Sequence, residues 1–429
     1  MAAVRCPACG ELDGRLLHRQ TAADAAHHFV PRQRDPERHA DLAVHLAALW
    51  GRDFVEVRIC EACNFGYAVP WVGGDARFYE LVHSGDPHYP GDRWEFGHTI
   101  EVLKRPEFKR PLRLLEVGAG HGAFLDRVRR LGRHEIVAAD YDAGAVDRLR
   151  KKGYEAIPGS LADISGTFDV VCLFQTVEHM ADLDAVFGHF RRLLAPGGSV
   201  FVSVPNGEAT ALQEEITGFW DTPPNHVGRW NPIAIKRASE RRGFRAVAVE
   251  TEPVHAGQVA WQLAVYSVNA RSYTAGTVEN RINAIENRPA RGVLRRVLAA
   301  TQFPRLLMMR RRFRPLTCWA QLCLPAPGAA GSPRTAGCVS TTPFHDALGA
   351  EPPRGGRRSR HVAMRLSGPV LDHEGLEFEH GREKGRRLSI DENRPAHARE
   401  ALTTSLVLRL SCPAAPPIEA TSGAAGFEP

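Results

Sequence analysis

The chain reads as an α/β protein. It combines a Rossmann-like, doubly wound, mostly parallel sheet with a small N-terminal four-cysteine, zinc-ribbon-like module and a disordered C-terminal tail. Three observations predict this. An apolar run of strand length, Leu114-Leu115-Glu116-Val117, ends in alternating glycines at Gly118, Gly120 and Gly122 and passes at once into a helix-like pattern from Ala123 to Leu131. From 112 to about 250, strand-like and helix-like segments alternate, as they do in a parallel sheet covered on both faces. Ahead of that unit stand two Cys-x-x-Cys knuckles, Cys6/Cys9 and Cys60/Cys63.

Residues 1 to about 75 form the first unit. Cys6-Pro-Ala-Cys9-Gly10 opens it, and a polar, histidine-rich insert follows with a helical pattern over Asp41–Trp50. Phe54–Ile59 alternates like a strand and leads into Cys60-Glu-Ala-Cys63 and Gly66. Four thiolates in tetrahedral array suit zinc, and a site with every position filled is structural. The long separation between the knuckles is tolerable because loop-closure cost grows slowly with length. With nine cysteines and no signal-peptide-like apolar core at the N-terminus, metal or free thiols are expected, not a disulfide framework, and a cytoplasmic location with them. His18, His27, His28, His39 and His45 are alternate ligands by type, but each is expected at the surface. Cys172, Cys318, Cys323, Cys338 and Cys412 show no ligand spacing.

Residues 76–111 read as a helical connector. Its Tyr79, Tyr89, Trp94 and Phe96 could form a lid over bound ligands or simply pack. The core domain is expected over 112–312. Its strands fall at 113–117, 135–139, 154–157, 169–174, 199–204 and 245–250, and its helices at 122–131, 143–152, 182–194 and 231–242. Pro196-Gly197-Gly198 reads as a helix stop. A last strand is expected near Val259–Val268, followed by one or two basic helices. From about 313 to 429 periodicity vanishes and Pro, Gly, Arg and Ala dominate, so that segment is expected to be a disordered tail. Its closing string, Ser422–Pro429, reads like out-of-frame translation.

The net charge of +6 is modest for 429 residues. Arginines crowd between Arg291 and Arg314 and between Arg354 and Arg360; they read as solvated faces and a basic tail, not as a nucleic-acid surface. No run approaches a membrane span.

A strand, a tight glycine turn and a helix N-terminus together cradle a nucleotide-like ligand, with glycine wherever a side chain would keep the ligand from the backbone. The spacing is Gly-x-Gly-x-Gly, not the Gly-x-Gly-x-x-Gly of dinucleotide sites. Asp140 ends the second strand about twenty residues on. It suits ribose hydroxyls, with a helix-capping role as the alternative.

With Glu116 ahead of it, the glycine run resembles motif I of class I S-adenosylmethionine (SAM) dependent methyltransferases. Phe168–Met180, with its Glu178-His179 pair, resembles the segment after their fourth strand, and Leu193–Val202 resembles the turn into their fifth. The loop from Asp221 to Pro232 resembles their Pro-Pro-His-His-x-x-x-Trp/Phe segment, with Asn225 in place of the first histidine. The cysteine module is similar to one that precedes the core in some bacterial sugar C-methyltransferases.

The resemblance implies SAM as cofactor. Glu116, Gly118 and Gly120 would line its methionine and ribose side, Gly122 would allow close helix packing, Asp140 would take the ribose and Gln175 would meet the methionine part. Ser160, Leu161 and Asp163 are the adenine candidates, and none matches the family cleanly. His226 is the candidate general base because histidine titrates near neutrality. A structural role in fixing the loop is the alternative for His226. Glu178 and His179 are further catalytic candidates, with capping of the next helix as the alternative. The implied acceptor is a small polar molecule such as a sugar or sugar nucleotide. Two other readings stay open: an NAD-dependent oxidoreductase, and a non-enzymatic protein whose zinc module binds a partner. Nucleic-acid methylation is disfavoured because no Asn/Asp-Pro-Pro-Tyr/Phe motif follows the fourth strand. Acceptor identity and oligomeric state are not legible.

Overall fold

Local capping chemistry accounts for the first elements of the computed structural model, which describes residues 4–12, 14–82, 91–218, 221–272, 274 and 276–325. Strand β1 (Gly14–Thr21) runs into helix α1 (Ala22–Phe29), whose Thr21 cap accepts the Asp24 N–H. Helix α2 (Pro36–Trp50) starts at an Asp35 cap followed by Pro36 and stops at Gly51, where φ is +64°. Its Leu42, Leu46 and Trp50, four residues apart, bury one face. Strands β2 (Phe54–Cys60) and β3 (Gly66–Val69) complete the hairpin, and helices α3 (Ala76–Val82) and α4 (Trp94–Leu103) lead to the core.

The core follows as β4 (Arg113–Val117), α5 (Ala123–Arg129), β5 (Glu135–Asp140), α6 (Ala143–Lys151), β6 (Glu155–Pro158), β7 (Phe168–Phe174), α7 (Leu183–Leu193), β8 (Leu194–Pro205), α8 (Gly207–Thr217), β9 (Gly228–Arg229), α9 (Pro232–Arg241), β10 (Arg245–Thr251), α10 (Ala256–Arg271), α11 (Val278–Asn283), α12 (Arg288–Met308) and β11 (Thr317–Cys323). The seven-stranded sheet has the order β6-β5-β4-β7-β8-β11-β10. The pairs among β6, β5, β4, β7 and β8 are parallel, and β11 alone runs antiparallel to both of its neighbours.

Alternation along each strand builds two cores. Leu115, Val117, Val171, Leu173, Val200 and Val202 pack with Phe187 and Phe190 of α7 and Ala234 and Ile235 of α9. Leu114, Ala138, Val170, Cys172 and Phe201 pack with Phe96, Val102 and Leu103 of α4 and Phe124 of α5. Phe96 is therefore a core residue, not part of a lid. Trp94 stacks on His98 with ring centroids 4.7 Å apart.

Two expectations are corrected. Val259–Val268 is helical, within α10, where Val259, Ala260, Leu263, Ala264, Ser267 and Val268 are buried at helical spacing. The last strand lies later, inside the segment read as tail: every residue of β11 is buried, and Trp319 stacks on Phe201 at 5.5 Å. A short strand buried on both faces shows no alternation, and Pro315 and Pro325 around it disguise it as linker. The ordered core thus extends past 313 to Cys323. Residues 326–429, where the remaining tail expectation falls, lie outside the described residues, as does Tyr89.

The cysteine module is not closed on itself. Its sheet has the order β1-β2-β3-β9, so Gly228–Arg229 from the core domain supplies the fourth strand, with Gly66 opposite Arg229 and Tyr67 opposite Gly228.

Candidate functional site

Strand order reverses at β4, which lies between β5 and β7. In such sheets ligands bind at the carboxyl ends of the strands flanking that point. The glycine turn sits there. Gly118, Gly120 and Gly122 have φ of +74°, +52° and +74°, a region that side chains disfavour, so the backbone is bare. A Cβ on Gly118 would lie 2.8 Å from Thr176 Oγ1, and one on Gly122 would lie 2.8 Å from Leu149 Cδ2. Asp140 braces the turn: its Oδ2 accepts the Gly120 N–H at 2.8 Å and its Oδ1 accepts the Asp142 N–H at 2.9 Å. The helix cap proposed for Asp140 belongs to Asp142, which accepts from Gly144 and Ala145. Glu116 is buried beside this turn with Oε2 unpartnered. Burial first, and then the Asp140 carboxylate, holds its pKa well above the ordinary range.

Gln175 adopts φ of +52° at the end of β7. Its Nε2 donates to Glu95 Oε1 at 3.1 Å, and Ser203 Oγ donates to the same oxygen at 3.2 Å. Glu95 is buried on α4, so the connector closes over the strand ends through this carboxylate. Of the adenine candidates, Leu161 is core, and Ser160 and Asp163 are occupied with each other, Ser160 Oγ donating to Asp163 Oδ2 at 2.9 Å.

Beyond Thr176, a short 3-10 turn presents Glu178 and His179, and the loop before β9 brings His226 against them. The two imidazole centroids are 4.7 Å apart. His226 Nδ1 lies 2.8 Å from Asp221 Oδ1, and His179 Nδ1 lies 2.7 Å from the Asn225 carbonyl. Tyr79 Oη is 3.5 Å from His179 Nδ1. Glu178 is buried with neither carboxylate oxygen hydrogen-bonded, and burial pushes it up to about 7 against the pull of His226. Burial would lower His226, but Asp221 overrides it and raises the ring to about 9. Burial and the neighbouring His226 drive His179 down to about 3. Behind the cluster, Arg229 and Glu214 form a buried two-pronged pair at 2.7 and 2.9 Å, and Glu214 Oε1 also accepts the Asp221 N–H.

The four knuckle cysteines converge. Cys6 and Cys63 Sγ are 3.7 Å apart, Cys9 and Cys60 Sγ are 3.5 Å apart, and none is in a disulfide. Thiolates about 2.3 Å from one tetrahedral ion stand roughly 3.8 Å from each other, so the spacing fits zinc. The two turns match: Gly10 N–H returns to the Cys6 carbonyl and Asn64 N–H to the Cys60 carbonyl, both at 2.8 Å, with positive φ at Gly10 and Asn64. Asn64 therefore makes the second turn. Gly66 is needed under Arg229, whose Cβ would be 2.8 Å from an added Cβ. None of the five histidines of the insert joins the thiols; His45, for instance, lies 2.8 Å from Asp75.

Asp221, Glu95 and Glu214 were not singled out from sequence. Glu95 and Glu214 gain their places from partners 80 and 15 residues away, and Asp221 from the burial of its short loop, of which only the Asp221-to-His226 spacing left a trace.

Strand order, glycine turn and cysteine cluster together define a Rossmann-like mixed sheet of the kind typical of class I SAM-dependent methyltransferases, with an N-terminal four-cysteine cluster. Residues 92–249 match the family described as methyltransferase domain. The chain is 32% identical over 139 residues to the ubiquinone biosynthesis O-methyltransferase of Mesorhizobium japonicum, covering 30% of this chain and 53% of that one. It is 32% identical over 130 residues to the Chelativorans sp. protein of the same name, covering 28% and 49%. The chain thus spans about half the length of the curated relatives it matches. A SAM dependent methyltransferase from Archaeoglobus fulgidus superposes with a TM-score of 0.34 at 17% identity, covering 53% of this chain and 93% of that one, a likeness too low to add to the strand order. No described helix is long and apolar enough to cross a membrane.

Proposed function

We propose that this chain transfers a methyl group from SAM to a hydroxyl of a small polar acceptor. One observation carries the reading: the glycine turn adjoins the titratable cluster. Gly118 packs so closely on Thr176 that a Cβ would clash, and Thr176 leads straight into Glu178-His179. A donor cradle and an acceptor-side cluster thus share the carboxyl ends of β4 and β7. The curated relatives are named as O-methyltransferases, which supports an oxygen acceptor. The resemblance of the cysteine module to that of sugar methyltransferases supports a sugar or sugar nucleotide.

The residues fit SAM on two counts: a bare-backbone turn at Gly118–Gly122 and a buried, unpartnered Glu116 oxygen beside it. Glu116, Gly118 and Gly120 would hold the methionine and ribose side, Asp140 the ribose, and Gln175 the methionine end. Tyr141, 68% exposed just after Asp140, offers the adenine a ring that Ser160 and Asp163 do not. Bound SAM supplies an already activated methyl group. What remains for the chain is to orient the acceptor and take its proton. His226 is our candidate, with Nδ1 held by Asp221 and with Glu178 and His179 beside it. Because Asp221 raises the ring to about 9, Nε2 takes the proton only once the ring has lost its own, so turnover should rise with pH towards about 9. Zinc on Cys6, Cys9, Cys60 and Cys63 would be structural.

The test is calorimetric titration with SAM and with NAD, followed by mass spectrometry of sugar-nucleotide and metabolite pools incubated with methyl-labelled SAM. Micromolar SAM binding and a labelled product are expected. Binding of NAD instead would overturn the reading. Replacing His226 by Ala should lower turnover at least about 100-fold, the scale of lost acid–base catalysis, with SAM affinity nearly unchanged.

A further inference from the structure

We propose that Glu178, His179 and His226 form a second metal site, for a divalent cation of the zinc class with an open position for an acceptor oxygen. The inference rests on the methyltransferase reading of this pocket and changes the part His226 plays in it, from direct base to ligand. One donor atom from each of the three residues lies within 4.8 Å of the others. Ligands about 2.0–2.1 Å from a tetrahedral ion sit roughly 3.4 Å apart, so side-chain rotations of about an ångström close the set.

Three features mark these donors as ligands and not just as neighbours. Glu178 is 1% exposed, yet neither carboxylate oxygen has a hydrogen-bond partner, a costly arrangement for the charged group unless a proton or a cation completes it. Both imidazoles are fixed through Nδ1, His226 by the Asp221 carboxylate and His179 by the Asn225 carbonyl. That outer contact is the one metal-binding histidines use, and it leaves each Nε2 for the ion. The pairing also leaves room for a cation: Glu214 pairs with Arg229 and Asp221 with His226, whereas Glu178 has no ion-pair partner among the described residues, Arg93 acting on it without a hydrogen bond.

Two histidines and one carboxylate fill three positions of a tetrahedral ion, the pattern of sites that keep one position open. An acceptor hydroxyl bound there releases its proton to solvent more readily. Its oxygen then forms the bond to the methyl carbon as the carbon–sulfur bond breaks and the sulfur leaves as a neutral thioether.

Cobalt(II) substitution of the full chain tests this. Cobalt in the cysteine site shows an intense thiolate charge-transfer band, and cobalt on two imidazoles and a carboxylate shows only weak d–d bands. We expect wild type to bind a second equivalent without thiolate character, and Glu178→Gln and His226→Ala each to lose that equivalent while keeping the thiolate band and SAM binding, which report an intact fold. A wild-type spectrum accounted for by thiolate-bound cobalt alone, or variants that keep the second equivalent, would overturn the site. SAM-dependent methylation by such protein would leave the methyltransferase reading standing. Conversely, a second equivalent lost in Glu178→Gln, in a chain that never binds SAM, would sustain the metal site and defeat that reading.

Discussion

Asp140 ties the end of β5 to the glycine turn by accepting the Gly120 amide at 2.8 Å, while its other oxygen accepts the Asp142 amide at the head of α6 at 2.9 Å. The carboxylate that suits a ribose thus also shapes the loop that would receive the rest of the ligand. Hydrogen bonds to a charged group contribute about 1.5–3 kcal/mol, and about 1.4 kcal/mol is a factor of ten. Asp140→Ala should therefore weaken SAM binding at least about tenfold by calorimetry, and Asp140→Asn less, because one amide contact survives. Unchanged affinity in both variants would remove Asp140 from the cofactor site.

Gly118→Ala should be harmful on two counts. It places a β-carbon at φ +74°, and that carbon meets Thr176 Oγ1 at 2.8 Å. Left-handed strain costs roughly 1–2 kcal/mol at such a position. A lowered melting temperature together with lost SAM binding is expected. Gly132→Ala, also at positive φ but with open space around it, should lower stability alone.

Arg229 and Glu214 are buried together, at 6% and 5% exposure, behind the Asp221–Thr222 loop. Arg229→Met leaves the Glu214 carboxylate buried and unpaired, a change that costs about 3–5 kcal/mol. Urea unfolding should show a loss of that size. Pairing it with Glu214→Gln should recover part of the loss, since the stranded charge is then gone.

The cysteine cluster also reaches the acceptor loop. Asn231 Nδ2, a few residues beyond His226, donates to the carbonyls of Cys63 at 3.1 Å and Asn64 at 2.7 Å. Cys60→Ser should release the thiolate-bound metal, seen by elemental analysis, and lower kcat with little change in SAM affinity. Full turnover in metal-depleted Cys60→Ser protein would show that the module does not position the loop.

Helix ends, glycine turns and the parallel strands were legible because their causes are local. Thr21, Asp142, Gly118 and the two knuckles each act within a few residues. Strand β11 and helix α10 were not: Thr317–Cys323 becomes a strand only because β8 and β10 leave a slot between them, and Val259–Val268 is as apolar as a strand while burying a helical stripe. The site divides the same way. The sequence by itself determined the glycine cradle, Asp140 and the four thiols, since each is a short motif whose spacing is its chemistry. Only the tertiary structure decided that Asp221 holds His226, that Glu95 meets Gln175 and Ser203, and that Glu178 is buried with no hydrogen-bond partner among the described residues. Those relationships join residues distant in the chain or depend on burial, and exclusion from water is a property of the folded whole.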